Sequence, residues 1–118
     1  MKGEIEMAKY EAELRGDFYE ILEDISDTVM SNSSSASLEA KSDFSTANSV
    51  CAVRVYERYS YSGQNRVSMN ITLIKSDGRI FVSVITSGGS QGIIFKINTL
   101  GESSFLDTVT SVLDKYRI

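Results

Sequence analysis

Three long polar side chains alternate along one predicted strand, as Arg54, Tyr56 and Arg58. Successive side chains of a strand point to opposite faces of its sheet, so these three residues share a face. Guanidinium groups interleaved with an aromatic ring on an open sheet are typical of proteins that stack single-stranded nucleic acid. The same residue types are enriched at protein interfaces. The pattern therefore predicts a binding surface and not a reaction centre.

The rest of this predicted surface follows from strand pairing. A three-residue turn at 62–64 would place Thr72 opposite Arg54 and Asn70 opposite Tyr56. The predicted interface consists of Arg54, Tyr56, Arg58, Asn70, Thr72, Ile74, Phe81 and Ile85. Its apolar members are costly to leave in water together, which favours a homodimer interface. A solvated face, with side chains selected for strand pairing, is the other interpretation of the same residues. The net charge of −4 argues against nucleic acid as the partner.

A second candidate site is the rim of a pocket between the sheet and the helices. Its predicted members are Glu57, Tyr59, Ser87, Ser90 and Gln91. The last three belong to a glycine-rich segment without the GxxxxGK phosphate-loop pattern, and this segment joins strand to strand. A bulge or wide turn is the plainer interpretation of the segment. For Glu57 the plainer interpretation is an ion pair with an arginine such as Arg66. A pocket there would hold a small apolar molecule.

Catalysis and metal binding find little support in the residue types. The chain has no histidine and one cysteine, Cys51, so neither a Cys–His nor a Ser–His pair can form. Zinc would have only carboxylates and one thiol as ligands. We therefore predict a protein without enzymatic activity, metal or cofactor, in which Cys51 is a small buried hydrophobe.

Length and composition indicate one globular domain. The chain has 118 residues, of which 42% are hydrophobic and 24% charged. It contains no apolar run of the roughly 20 residues that span a bilayer, and no signal-peptide pattern at its start. We predict a cytoplasmic protein with no membrane partner. Residues 1–6 are predicted to be a disordered leader before a second start site at Met7, so that 7–118 form the domain.

The elements that must position these residues follow from hydrophobic periodicity. A strand is predicted over 9–15, and a helix follows it with Asp17 as its N-cap. Further strands are predicted over 36–41, 50–59, 67–73 and 93–97, with a loop at 42–49. Asp77 and Gly78 predict a two-residue hairpin turn that pairs Leu73 with Val82. A second helix runs from Phe105 towards the C-terminus.

These elements predict an α+β fold with one antiparallel sheet of five or six strands and two helices packed on one face. Cys51, Val53 and Val55 are expected on the face that the helices cover. The order β-α-β4-α, or β-α-β5-α, resembles the TATA-binding-protein half-domain and, more loosely, the helix-grip folds. Residues 51–61, 85–91 and 95–99 are similar to a small uncharacterised bacterial family, a domain of unknown function from Gram-positive anaerobes. That resemblance would cover the chain from Met7 and implies no activity, ligand or catalytic residue.

Overall fold

The helices and strands form where hydrophobic periodicity and capping residues predict them, with the exceptions described below. The computed structural model describes residues 7–59, 66–88 and 105–118. Its elements are β1 (Met7–Leu14), α1 (Phe18–Ser31), β2 (Ser37–Ser45), β3 (Ser49–Tyr59), β4 (Arg66–Ser76), β5 (Arg79–Gly88) and a C-terminal helix, α2, described over 105–113. The start of α1 is capped as expected, because the Asp17 carboxylate accepts a hydrogen bond from the backbone N–H of Glu20 at 2.9 Å.

The five strands form one antiparallel sheet in the spatial order β1-β5-β4-β3-β2. The first strand therefore pairs with the last of the described strands, and α1 carries the chain back across the sheet to β2. This arrangement confirms the predicted α+β class, its antiparallel sheet and its two helices. The predicted strand over 93–97 and the leader over 1–6 lie outside the described residues.

The β4–β5 hairpin forms as its turn residues demand. Asp77 and Gly78 adopt positive φ angles of 53° and 81°, the conformation that such a two-residue turn needs. The turn fixes the register, so Leu73 pairs with Val82 and Ile74 with Phe81. The pairing of Leu73 with Val82 confirms the prediction.

The register of β3 differs from the prediction by one residue. Arg54 lies opposite Ile71 instead of Thr72, and Tyr56 lies opposite Met69. Because side chains alternate between faces, a slip of one residue moves every side chain of the strand to the other face. Val53 and Val55, which were expected beneath the helices, therefore lie on the opposite face of the sheet.

The core lies between the sheet and the two helices. Both helices contribute fully buried side chains to it, including Ile25 from α1 and Phe105 from α2, and these join β4 residues such as Ile71 in one cluster. Two phenol–carboxylate hydrogen bonds hold the end of α2, from Tyr10 to Asp114 at 2.7 Å and from Tyr116 to Asp24. Neither described helix is long and apolar enough to cross a membrane.

β2 is an edge strand that extends beyond its predicted end. It continues to Ser45, so the predicted loop at 42–49 is wrong over its first half. Almost all of its side chains are exposed, and an edge strand of this kind lacks the alternation that signals a buried face. A bulge between Leu38 and Ala40 interrupts its pairing with β3. Bulges of this kind discourage pairing with further strands.

Candidate interaction face

The sheet face that points away from α1 and α2 is called the open face here. The register places the following side chains on it from β3, β4 and β5: Cys51, Val53, Val55, Asn70, Thr72, Ile74, Phe81, Ser83 and Ile85. Five of the eight residues predicted for the interface are among them, namely Asn70, Thr72, Ile74, Phe81 and Ile85. These five could be predicted together because the register of β4 with β5 was predicted correctly and side chains alternate between the two faces of a sheet.

The open face carries apolar side chains in two cross-strand rows, separated by a row that contains Thr72 and Ser83. Phe81 and Ile85 each retain 38% of their accessible surface, and both are large hydrophobic side chains. Ile74 lies between Cys51 and Phe81 in one cross-strand row, and all three are at least partly exposed. Phe44 continues this row onto the edge strand and is 66% exposed. The row places contiguous hydrophobic surface on a face that no described helix covers.

Ion pairs and hydrogen bonds frame the apolar rows on the β1 side. The Arg79 guanidinium donates two hydrogen bonds of 3.0 Å to Glu13 and stacks 5.0 Å from the ring centroid of Phe81. The hydrogen bonds from Arg79 hold the pKa of the Glu13 carboxyl below its usual range. Ser83 donates a hydrogen bond of 3.0 Å to Glu11. Glu11, Glu13, Phe81, Ser83 and Thr72 line a shallow groove of about 440 Å³ on the open face.

Glu57 lies on the open face and not at the rim of the space between sheet and helices. It forms a salt bridge with Arg66, as its plainer interpretation predicted. Ser68 stands opposite it, with Ser87 next in the same cross-strand row. The predicted pocket rim is therefore wrong for Glu57 and Ser87. Tyr59 follows Glu57 by two residues and so shares its face, 55% exposed. Ser90 and Gln91 lie outside the described residues.

The alternating residues Arg54, Tyr56 and Arg58 lie on the helix side of the sheet. Tyr56 is 1% exposed and belongs to the core. Arg58 lies with its guanidinium carbon 4.5 Å from the ring centroid of Phe105 in α2, and burial lowers the pKa of Arg58. Arg54 forms a 2.9 Å ion pair with Asp43 and keeps 12% of its side-chain surface exposed. Their predicted place on the open face is wrong.

The open face carries balanced charge. Its described ionisable side chains on β1, β3, β4 and β5 are three basic and three acidic residues: Lys9, Arg66, Arg79, Glu11, Glu13 and Glu57. α1, on the other side of the sheet, carries four acidic residues and no basic one. The negative charge of the chain is thus concentrated away from the open face. Glu39 of β2 adds a fourth carboxylate beside Arg66, so the face is close to neutral and only weakly repels an identical face.

Metal-ligand groups and the single thiol are two further features of the described residues that bear on chemistry. The described residues contain no group of three or more histidine, cysteine, aspartate or glutamate residues that could hold a metal ion. Cys51 is partly exposed on the open face, beside Ile74, and so is not the buried core residue that its apolar strand suggested. The arrangement suits association through apolar contact and does not resemble an acid–base pair.

No curated protein matches the chain. A protein-family model does match it over residues 7–117, which is nearly its whole length. This agrees with the resemblance to an uncharacterised domain. The chain belongs to that family, which is described as a family of unknown function, DUF6054.

Proposed function

We propose that this protein has no catalytic activity and acts by forming a homodimer, in which the open faces of two copies pack against each other. The observation that carries this proposal is the partly exposed row of Cys51, Ile74 and Phe81, together with Ile85 two rows away, on a face that α1 and α2 leave bare. Two sheets that bury such faces against each other form a sandwich about 10 Å apart.

The size of the open face fits an interface of ordinary area. Five strands at about 4.8 Å spacing and eight or more residues at about 3.3 Å rise give roughly 600 to 700 Å² in projection. Standard protein interfaces bury about 800 Å² on each partner. A second copy is thus large enough to cover the face, and the nearly balanced charge of the face permits its approach.

The open face supports a protein partner better than nucleic acid. Arg54 and Arg58, which suggested nucleic acid, lie on the helix side of the sheet. The remaining basic residues of the face are matched by acidic ones, and both arginines among them form ion pairs. A nucleic-acid site needs a surplus of positive charge to bind phosphates.

A small apolar ligand between sheet and helices is supported less well than the homodimer. The groove of about 440 Å³ belongs to the open face, and a second one of about 260 Å³ lies beside α1 at the sheet margin. The side chains of Tyr56 and Phe105 pack in the described space beneath the helices.

The experiment is sedimentation velocity over a wide range of protein concentration, comparing wild type with two matched variants. Ile85→Lys places a charge on the open face, and Leu38→Lys places the same charge at a side chain of similar exposure, 43%, on the helix side of the sheet. We expect wild type and Leu38→Lys to sediment as dimers and Ile85→Lys as a monomer. A monomeric wild type at high concentration would contradict the proposal, as would dissociation by Leu38→Lys alone.

We also propose that the protein is bacterial and works in the cytoplasm. The similarity of the strand and helix order to the TATA-binding-protein half-domain is a proposal about topology and carries no function.

A further inference from the structure

α1 has an apolar surface that is wider than the part buried in the core. Its buried residues are Phe18, Ile21, Ile25 and Val29. A second set, Tyr19, Leu22, Ser26 and Met30, follows on one side of the first, and we call it the α1 flank. Residues three or four apart line up along a helix, so the flank forms an uncharged stripe that is apolar except at Ser26. Tyr19 is 65% and Met30 44% exposed, while Leu22 and Ser26 are partly buried.

The small side chain of Ser26 makes a shallow dip in the α1 flank. It lies between Leu22 and Met30, which come one turn before it and one turn after it. A short side chain lets another helix approach the backbone more closely than a long one does. The flank therefore offers two apolar contacts, at Leu22 and Met30, on either side of a shallow dip.

A groove runs along the N-terminal half of the α1 flank. It has a volume of about 260 Å³ and lies between Tyr19 and Leu22 on one side and residues 43–45 of the edge strand β2 on the other. The ion pair between Arg54 and Asp43 forms a polar wall. The groove is thus a largely apolar channel at the sheet margin. One of its walls belongs to α1 and the opposite wall belongs to β2.

The charge on α1 itself, on the side of the α1 flank away from the sheet, is entirely negative, while Lys75 shares a depression with Tyr19 on the sheet side. At 100° per residue, Glu23 and Asp27 come directly after Tyr19 and Met30 around the helix surface. Glu20 and Asp24 lie further round, towards α2, where Asp24 accepts the hydrogen bond of Tyr116. α1 contains no lysine or arginine to balance these four carboxylates. A second copy of the same flank would bring like charges together, which opposes self-association there.

We propose that the α1 flank and its groove bind a basic amphipathic helix of another protein. The apolar stripe of that helix would pack on Tyr19, Leu22 and Met30, and its lysine or arginine residues would face Glu23 and Asp27. Helices that lay an apolar face into a groove in this way are a common mode of peptide recognition. The proposal does not depend on the homodimer, because the α1 flank and the open face lie on opposite sides of the sheet and share only Phe44 at the sheet margin.

The test uses two synthetic 14-residue amphipathic peptides with identical leucine positions, one with lysine and one with glutamate at all other positions. Each peptide carries a fluorophore, and its anisotropy is followed during titration with the full chain. We expect the leucine–lysine peptide to bind and the leucine–glutamate peptide not to bind. Loss of one exposed aromatic contact in Tyr19→Ser should weaken binding about tenfold.

A matched pair of charge variants separates a specific site from general attraction to an acidic protein. Glu23→Gln removes a carboxylate beside the α1 flank, and Glu20→Gln removes one from further round the same helix. We expect about threefold weaker binding for Glu23→Gln and little change for Glu20→Gln. Ile85→Ser on the open face should leave the peptide affinity unchanged.

Three results would overturn the proposal. The first is no binding of the leucine–lysine peptide, or binding that Tyr19→Ser does not weaken. The second is an equal effect of Glu20→Gln and Glu23→Gln. The third is a change in the sedimentation of the protein alone on Tyr19→Ser, which would identify a second copy as the occupant.

Discussion

The side chains of Tyr56 and Val55 provide the sharpest stability test of the sheet register. They are neighbours in β3, so they point to opposite faces of the sheet. The structure places Tyr56 in the core at 1% exposure and Val55 on the open face, partly exposed. The sequence pattern predicts the reverse. Truncating each side chain to alanine therefore measures which of the two faces the helices cover.

The expected magnitudes differ by several fold. A buried aromatic side chain removes about 150 to 250 Å² from water, which is worth roughly 4 to 6 kcal/mol at about 25 cal/mol per Å². Core aromatic-to-alanine changes cost about 3 to 5 kcal/mol in practice, so we expect about 4 kcal/mol for Tyr56→Ala. Val55→Ala removes two methyl groups that are partly in water, and we expect about 0.8 kcal/mol or less.

The assay is urea unfolding of wild type and both variants, followed by far-UV circular dichroism at one low protein concentration. With a slope of about 2 kcal/mol per molar urea, a loss of about 4 kcal/mol lowers the unfolding midpoint by about 2 M, while about 0.8 kcal/mol lowers it by about 0.4 M. Tyr56→Phe serves as a control that keeps the ring in place. A larger loss of stability in Val55→Ala than in Tyr56→Ala would refute the register and, with it, the open face.

Two further predictions concern α1 and the contact between the helices. Asp17→Ala removes the cap of α1, and it should lower the free energy of unfolding by about 1 kcal/mol in the same urea assay. The hydrogen bond to Asp24, with burial and the Asp24 charge, raises the pKa of Tyr116 to about 12 from an ordinary value of 10. Folding therefore favours the neutral phenol. The stability that the folded protein gains from this hydrogen bond is complete below about pH 10 and disappears between about pH 10 and about pH 12. Tyr116→Phe should lose about 1 kcal/mol at about pH 8, and the deficit should vanish near pH 12; a deficit that persists there would contradict the assignment.

Much of the fold could be predicted because its local signals are strong. The Asp77–Gly78 turn admits one hairpin register, so the faces of β4 and β5 were correct down to individual residue pairs. The cap at Asp17 and the apolar spacing of α1 fixed the first helix. Ile74, Phe81 and Ile85 could therefore be placed on the open face from sequence alone.

The face of β3 that the helices cover could not be predicted, because each face of this strand carries both apolar and charged side chains. One face offers Val53 and Val55, and the other offers Ala52 and Tyr56 interrupted by two arginines. Simple alternation favours burying the valines, yet arginine stems pack along apolar surface while the guanidinium finds a partner. Arg54 has such a partner in Asp43. The register to β4 also depends on the loop between the strands, where one residue more or less exchanges the two faces.

The α1 flank was missed for a related reason. Helical periodicity in residues 18–29 predicts one apolar face on α1 and one solvated acidic face. Tyr19 and Met30 extend the apolar surface of α1 past the edge of the sheet, where the sheet does not cover it. The uncovered part can be recognised only when the position of the sheet edge is known. Ser26 interrupts the stripe and so hides it from a count of hydrophobic residues. A helix whose uncharged arc spans about half its circumference is the signal that would have indicated it.

The most direct test of the proposed homodimer is the rate at which the thiol of Cys51 reacts with an alkylating reagent, measured against protein concentration. Cys51 is the single cysteine of the chain and lies on the open face beside Ile74. If two open faces pack together, the rate constant should fall as concentration passes the dimer dissociation constant, and it should stay constant in Ile85→Lys. A rate constant that is independent of concentration in wild type, even where sedimentation detects dimers, would contradict the open face as the interface.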